Sequence, residues 1–128
     1  MMKQSAIYAR QSVDKKESLS IEGQIELCQQ KAPNALIYKD KGYSGKNTER
    51  PALQKLIEDI KAEKIDKVVV YKIDRISRNI VDFYALWEIM KAHNCEIVSH
   101  SEPIDTTNIY GKGMMGILAI VAEMEREN

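Results

Sequence analysis

The sequence is poor in the residues that build metal sites, disulfide frameworks and membrane spans. It holds two cysteines and two histidines in 128 residues. Cys28 and Cys95 are isolated, with no CxxC spacing and no nearby histidine, so free buried thiols in a reducing compartment are expected. His93 and His100 share no ligand spacing, and the acidic residues form no paired D-x-D pattern. No metal and no cofactor are therefore expected. The longest unbroken apolar run, Ile117 to Ala122, is far too short to span a bilayer. The four apolar residues after Met1–Ser5 run straight into Arg10, too short for the h-region of a secretory signal, so the expected location is cytoplasmic. Net charge is missing too, with Lys+Arg and Asp+Glu balanced at 19 each. A self-sufficient nucleic-acid binder relies on phosphate neutralisation, so any basic surface here must be local.

What is present is an alternation of short apolar runs and helical periods, at the length of one domain. Residues 5–9 read as a first strand, and a polar loop, 10–17, follows it. Ser18 or Ser20 can cap a helix from about 20 to 31, with Ile21, Ile25 and Cys28 at helical spacing. Gly23 at the third position after Ser20 leaves no full capping box. Residues 35–40 read as a second strand, and 41–50 as a glycine-bearing, mobile loop. Pro51 suits a first helical turn, and Leu53, Leu56, Ile57 and Ile60 follow at helical spacing. Val68–Tyr71 is a strand buried on both faces. The apolar residues from Val81 to Met90 make a third helix, and Cys95–Val98 a fourth strand. This order implies an α/β fold, an open and mostly parallel sheet of about four to five strands with helices on both faces. From Met114 to Met124 the last helix is apolar on nearly every side, so it needs cover beyond its own domain. The reading is one domain over residues 1–128, ending in the start of a long helix, with a further region missing.

Several patterns fail as sites. Gly42–Lys46 and Gly111–Gly113 lack the spacing of a phosphate loop. Lys39, Asp40, Lys41 and Lys46 are most simply solvated charges. Phe83, Tyr84 and Trp87 are most simply core, Tyr8 packs under a site rather than acting in it, and His100 belongs on the surface. What survives is Arg10 and Ser12 after strand one, beside Asp74, Arg75 and Arg78 after the strand at 68–71. Open parallel sheets bind ligands at the C-terminal ends of their strands. Guanidiniums there suit an anion with planar oxygen geometry, phosphate above all. A serine hydroxyl is a weak nucleophile unless its proton is removed and the developing charge is stabilised. Without a metal, arginines must stabilise the transition state on a phosphodiester, and an acid or an arginine must protonate the leaving oxygen.

Together Tyr8-Ala9-Arg10-Gln11-Ser12, Gln24, Arg50 before an apolar helix, Asp74-Arg75-Ile76-Ser77-Arg78 and Ala122–Arg126 resemble the signature of the resolvase/invertase serine recombinases. The likeness runs in order along essentially the whole chain. Leu19–Gln24 and Gly42–Lys46 look more like the large integrase and transposase branch. The resemblance implies a site-specific DNA recombinase in which Ser12 becomes linked to a DNA 5′ phosphate and releases a 3′-hydroxyl. It implies that Arg10, Arg75 and Arg78 hold the scissile phosphate, with Arg50 approaching from its loop and Arg126 contributing from the base of the long helix. Asp74 and Gln24 would position these groups. The implied partners are double-stranded recombination sites and further copies of the chain, dimer to tetramer, through the C-terminal helix. DNA recognition would lie after the catalytic domain. The alternative is a DNA-binding regulator of the same fold without cleavage; a metal-dependent nuclease is a third reading, disfavoured by the missing ligand cluster.

Overall fold

The computed structural model describes residues 3–11, 19–42 and 50–127. Ser12 lies outside the described residues, as do Ser18 and positions 43–46 of the glycine-bearing loop. Four strands form one parallel sheet in the order β2-β1-β3-β4: β1 Gln4–Gln11, β2 Leu36–Lys41, β3 Ile65–Val70 and β4 Glu96–Ser99. The helices are α1 Ile21–Gln29, α2 Pro51–Lys61, α3 Ile80–Ala92 and α4 Ile109–Glu127. Alternating strand residues divide the core. Ala6, Tyr8, Val68, Val70 and Ile97 face α2, α3 and the root of α4, whereas Ile7, Val69 and Val98 face Cys28 and Ala32 on the α1 side. Helices therefore cover both faces, and β1 and β3, flanked on both edges, are the driest strands.

The caps explain where the helices begin. Ser20 accepts the Gly23 amide at the head of α1, and Asn79 accepts the Asp82 amide at the head of α3. Arg50 stands at the N-cap of α2 and supplies no side-chain cap. The missing acceptor comes from β2, where Asp40 takes the Ala52 and Leu53 amides at 2.9 and 3.1 Å and the Tyr8 hydroxyl at 2.7 Å. The expectation of a solvated Asp40 is thus overturned, for its carboxylate is buried and holds three donors. Helix α4 begins five residues before the expected Met114, because Asn108 caps the Gly111 amide and Gly111 fits against the next segment. A Cβ at Gly111 would stand 1.7 Å from the Asp105 carbonyl oxygen, so no larger residue fits. His100 also departs from its expected surface position, being half-buried and stacked against Tyr71 with ring centroids 6.0 Å apart. Both cysteines are buried free thiols, as expected.

Candidate active site

The sheet order reverses between β1 and β3, and ligands of open α/β sheets bind outside the strand ends at such a switch. β1 ends in Arg10 and Gln11. β3 ends at Val70 and passes through Tyr71 and Lys72 into a short 3-10 turn, Ile73–Arg75. The two candidate segments therefore meet at one edge. Arg10 donates from Nε to the Arg75 carbonyl at 3.1 Å and from Nη2 to the Asp74 carbonyl at 2.8 Å. Arg50 reaches the same turn from the head of α2, donating to the carbonyls of Arg75 at 3.1 Å and Ile76 at 2.6 Å. Instead of lying in solvent, it is 4% exposed and has its guanidinium 5.7 Å from the centre of the Tyr8 ring. Arg75 is buried as well, its Nη1 paired at 2.5 Å with the outward-facing Asp74 carboxylate. Its guanidinium lies 5.7 Å from the Tyr71 ring centre.

Gln24 explains how α1 fixes the end of β1. Buried completely, it donates to the Arg10 carbonyl at 2.9 Å, accepts the Arg10 amide at 3.3 Å, and also donates to the Leu19 carbonyl. The Arg10 backbone is thus held on both sides, by the β1 ladder and by this side chain. Arg78 is exposed, but it shares the wall of a cavity of about 290 Å³ with Arg50, Ile76 and Ser77. Arg126 is not brought into the cluster. It is exposed in the last turn of α4, where it pairs with Glu123 at 3.6 Å.

The electrostatics are those of a crowded cationic site. Arg10, Arg50, Arg75 and Arg78 meet there, the first three buried, with Asp82 and Glu102 lining the adjoining cavities beside Asp40 and Asp74. Burial first, and then the neighbouring Arg50 guanidinium, pull the Arg10 pKa below the ordinary arginine value. Burial likewise lifts the Tyr8 hydroxyl above the ordinary tyrosine range, so Tyr8 stays a neutral donor to Asp40. Bringing several guanidiniums out of water is costly, and a bound anion offsets that cost by forking onto them. Among the described residues no group of three or more His, Cys, Asp or Glu could hold a metal ion. No described helix is long and apolar enough to cross a membrane.

Comparison with known proteins agrees with this geometry. The family model described as "Resolvase, N terminal domain" matches residues 5–128. The chain belongs to the resolvase family. This resolvase-family domain is the catalytic domain type of serine recombinases. It superposes on the N-terminal catalytic domain of TP901-1 integrase with a TM-score of 0.83 and 37% identity, covering 98% of each chain. It is 36% identical over 92 residues to a DNA-invertase of Enterobacteria phage P7, covering 72% of this chain and 48% of that protein. A putative DNA recombinase of Bacillus subtilis matches at 36% over 97 residues, 73% of this chain and 19% of the relative. The chain thus spans about half or less of the length of these curated relatives.

Two contributors escaped the sequence reading. Asp40 builds the head of α2, and Glu102, between β4 and α4, accepts the Ile73 amide at 2.7 Å. The signal for Asp40 was available in Pro51. A helix opening on Arg-Pro has inner amides in need of an acceptor and no side chain of its own to supply one. Glu102 carried no comparable local signal.

Proposed function

We propose that this domain cleaves and rejoins DNA in a site-specific serine recombinase. The observation that carries the reading is the gathering of the Arg10 and Arg50 guanidiniums on the carbonyls of residues 74–76, beside Arg75 paired with the Asp74 carboxylate, with Arg10 two residues before Ser12 in sequence. In the proposed step Ser12 Oγ loses its proton and bonds to the scissile phosphorus. The bond from phosphorus to the 3′ oxygen breaks, and that oxygen takes up a proton and leaves as a 3′-hydroxyl. The product is a phosphoserine link to the 5′ end, and the reverse attack by a new 3′-hydroxyl rejoins the strands. Arg10, Arg75 and Arg78 neutralise the non-bridging oxygens. Asp74 orients Arg75, Gln24 holds Arg10, and Arg50 braces the turn behind them. Arg126 enters this scheme only through movement of α4 or contribution from another copy.

We assign the protein to the integrase and transposase branch, which the near-complete overlap with the TP901-1 domain and the much longer Bacillus relative support. DNA recognition then lies in sequence outside these 128 residues, in keeping with the zero net charge. The exposed Ile117, Ile120 and Met124 of α4 form the contact through which copies assemble into dimers and tetramers. Action on DNA in the cytoplasm fits two buried reduced thiols.

The test is a covalent adduct. Full-length protein carrying this domain is incubated with its cognate site, digested, and analysed by mass spectrometry. A nucleotide adduct on Ser12 that vanishes in Ser12→Ala is expected. An adduct on another residue, or none from protein that recombines DNA, would overturn the assignment.

A further inference from the structure

The 3-10 turn that carries Asp74 and Arg75 is gripped from two sides. Its carbonyls accept the guanidiniums of Arg10 and Arg50. Its leading amide, Ile73 N–H, donates 2.7 Å to Glu102 Oε1, and the same oxygen accepts the Ser99 hydroxyl at 2.8 Å. Glu102 lies in the connection between β4 and α4, a segment that is itself well held. There Ser99 donates its amide to Ile104, and Thr106 is fully buried with bonds to both the amide and the carbonyl of Ile97. One carboxylate oxygen therefore ties the Asp74–Arg75 turn to the end of β4 and the connection that follows it.

We propose that Glu102 is a positioning residue for the Asp74–Arg75 turn, acting through the single acceptor oxygen that holds Ile73 N–H. The proposal rests on the recombinase reading for its rate effects. Its geometry makes a narrow demand on the side chain. Glutamine offers a carbonyl oxygen at the same reach and can accept both donors. Aspartate is one methylene too short, and alanine leaves Ile73 N–H without its acceptor. Were the charge of Glu102 what mattered, as a counterweight to the arginines, glutamine would fail like alanine.

The experiment compares Glu102→Ala, Glu102→Asp and Glu102→Gln with unsubstituted full-length protein. The readouts are the rate of Ser12 adduct formation at saturating DNA, DNA affinity, thermal midpoint, and hydrogen exchange of the Ile73 amide in the 128-residue domain. Loss of one buried acceptor in Glu102→Ala should slow adduct formation by about tenfold or more. DNA affinity should stay within about twofold, so the loss falls on the chemical step. Glu102→Gln should restore the rate and the Ile73 protection, and Glu102→Asp should restore neither. Glutamine as slow as alanine, or alanine as fast as the unsubstituted protein, would overturn the proposal. If unsubstituted protein formed no adduct, the recombinase reading would fall, and exchange would still decide: equal Ile73 exchange in all variants overturns the positioning role.

Discussion

The strand-end cluster and the outer face of α4 place their residues against the usual rule in opposite ways. At the sheet edge, charges are buried: Arg10, Arg50, Arg75 and Asp40 are each less than a tenth exposed. On α4, apolar side chains are exposed, with Ile117 at 57%, Ile120 at 64% and Met124 at 60%. The buried charges are nonetheless largely bonded within the domain, with Arg50 Nε and Arg75 Nε left without a hydrogen-bond partner among the described residues. Arg10 and Arg50 bond to backbone carbonyls, and Asp40 takes three donors. The exposed apolar residues of α4 have no such neighbours among the described residues, and a Cβ added at Gly113 or Gly116 on the same helix would meet nothing within 4 Å. The difference is instructive. The described arginines of the site are held in place by bonds within the domain, while the outer face of α4 meets no comparable neighbour among the described residues. A cluster satisfied internally is fragile to single changes, whereas an exposed face is tolerant of them until it meets its partner.

That contrast can be sharpened by perturbing each region in turn. Asp40→Ala removes the acceptor of two α2 amides and the Tyr8 hydroxyl, and should cost about 3 kcal/mol of stability. Chemical denaturation of the 128-residue domain measures it, and Arg50 should lose its fixed place with the head of α2. An unchanged denaturation midpoint would break the comparison on the site's side. Ile120→Glu should do the reverse. Its effect on the folding of the isolated domain should stay within about 0.5 kcal/mol, as for other exposed positions. Sedimentation of the full-length protein on its DNA site should then show loss of the higher assemblies. Large unfolding from Ile120→Glu would mean that this face is already packed within the chain.

Legibility in the sequence followed the range of the interactions. Val68–Val70 was readable as a doubly buried strand, and Pro51 as a helix start, because each signal sits within a few residues of what it controls. The alternation of Ala6 and Tyr8 against Ile7 carries the two-faced core in the same local way. Arg10 and Arg75 could be placed on one edge because strand ends of a parallel sheet share a side. Asp40 was misread because its three donors come from β1 and α2, distant in the chain. Arg50 was expected only to approach from its loop, since nothing local reveals that carbonyls of residues 75 and 76 await it. The early start of α4 was hidden by Gly111 and Gly113, which weaken a helical pattern in sequence. At Gly111 that weakness is the cost of close approach to Asp105.

The central claim is that buried guanidiniums, Arg75 foremost, neutralise the scissile phosphate. The direct measurement uses full-length protein and DNA whose scissile phosphate is replaced by an uncharged methylphosphonate. On ordinary DNA, Arg75→Ala should slow Ser12 adduct formation by about a hundredfold or more, the scale of losing one preorganised transition-state donor. On methylphosphonate DNA the ground-state charge is gone and only one non-bridging oxygen remains to gain charge, so the gap between Arg75→Ala and unsubstituted protein should shrink to about tenfold or less. An equal gap on both substrates would contradict the account, assigning Arg75 to the architecture of the turn and not to the charge of the phosphate.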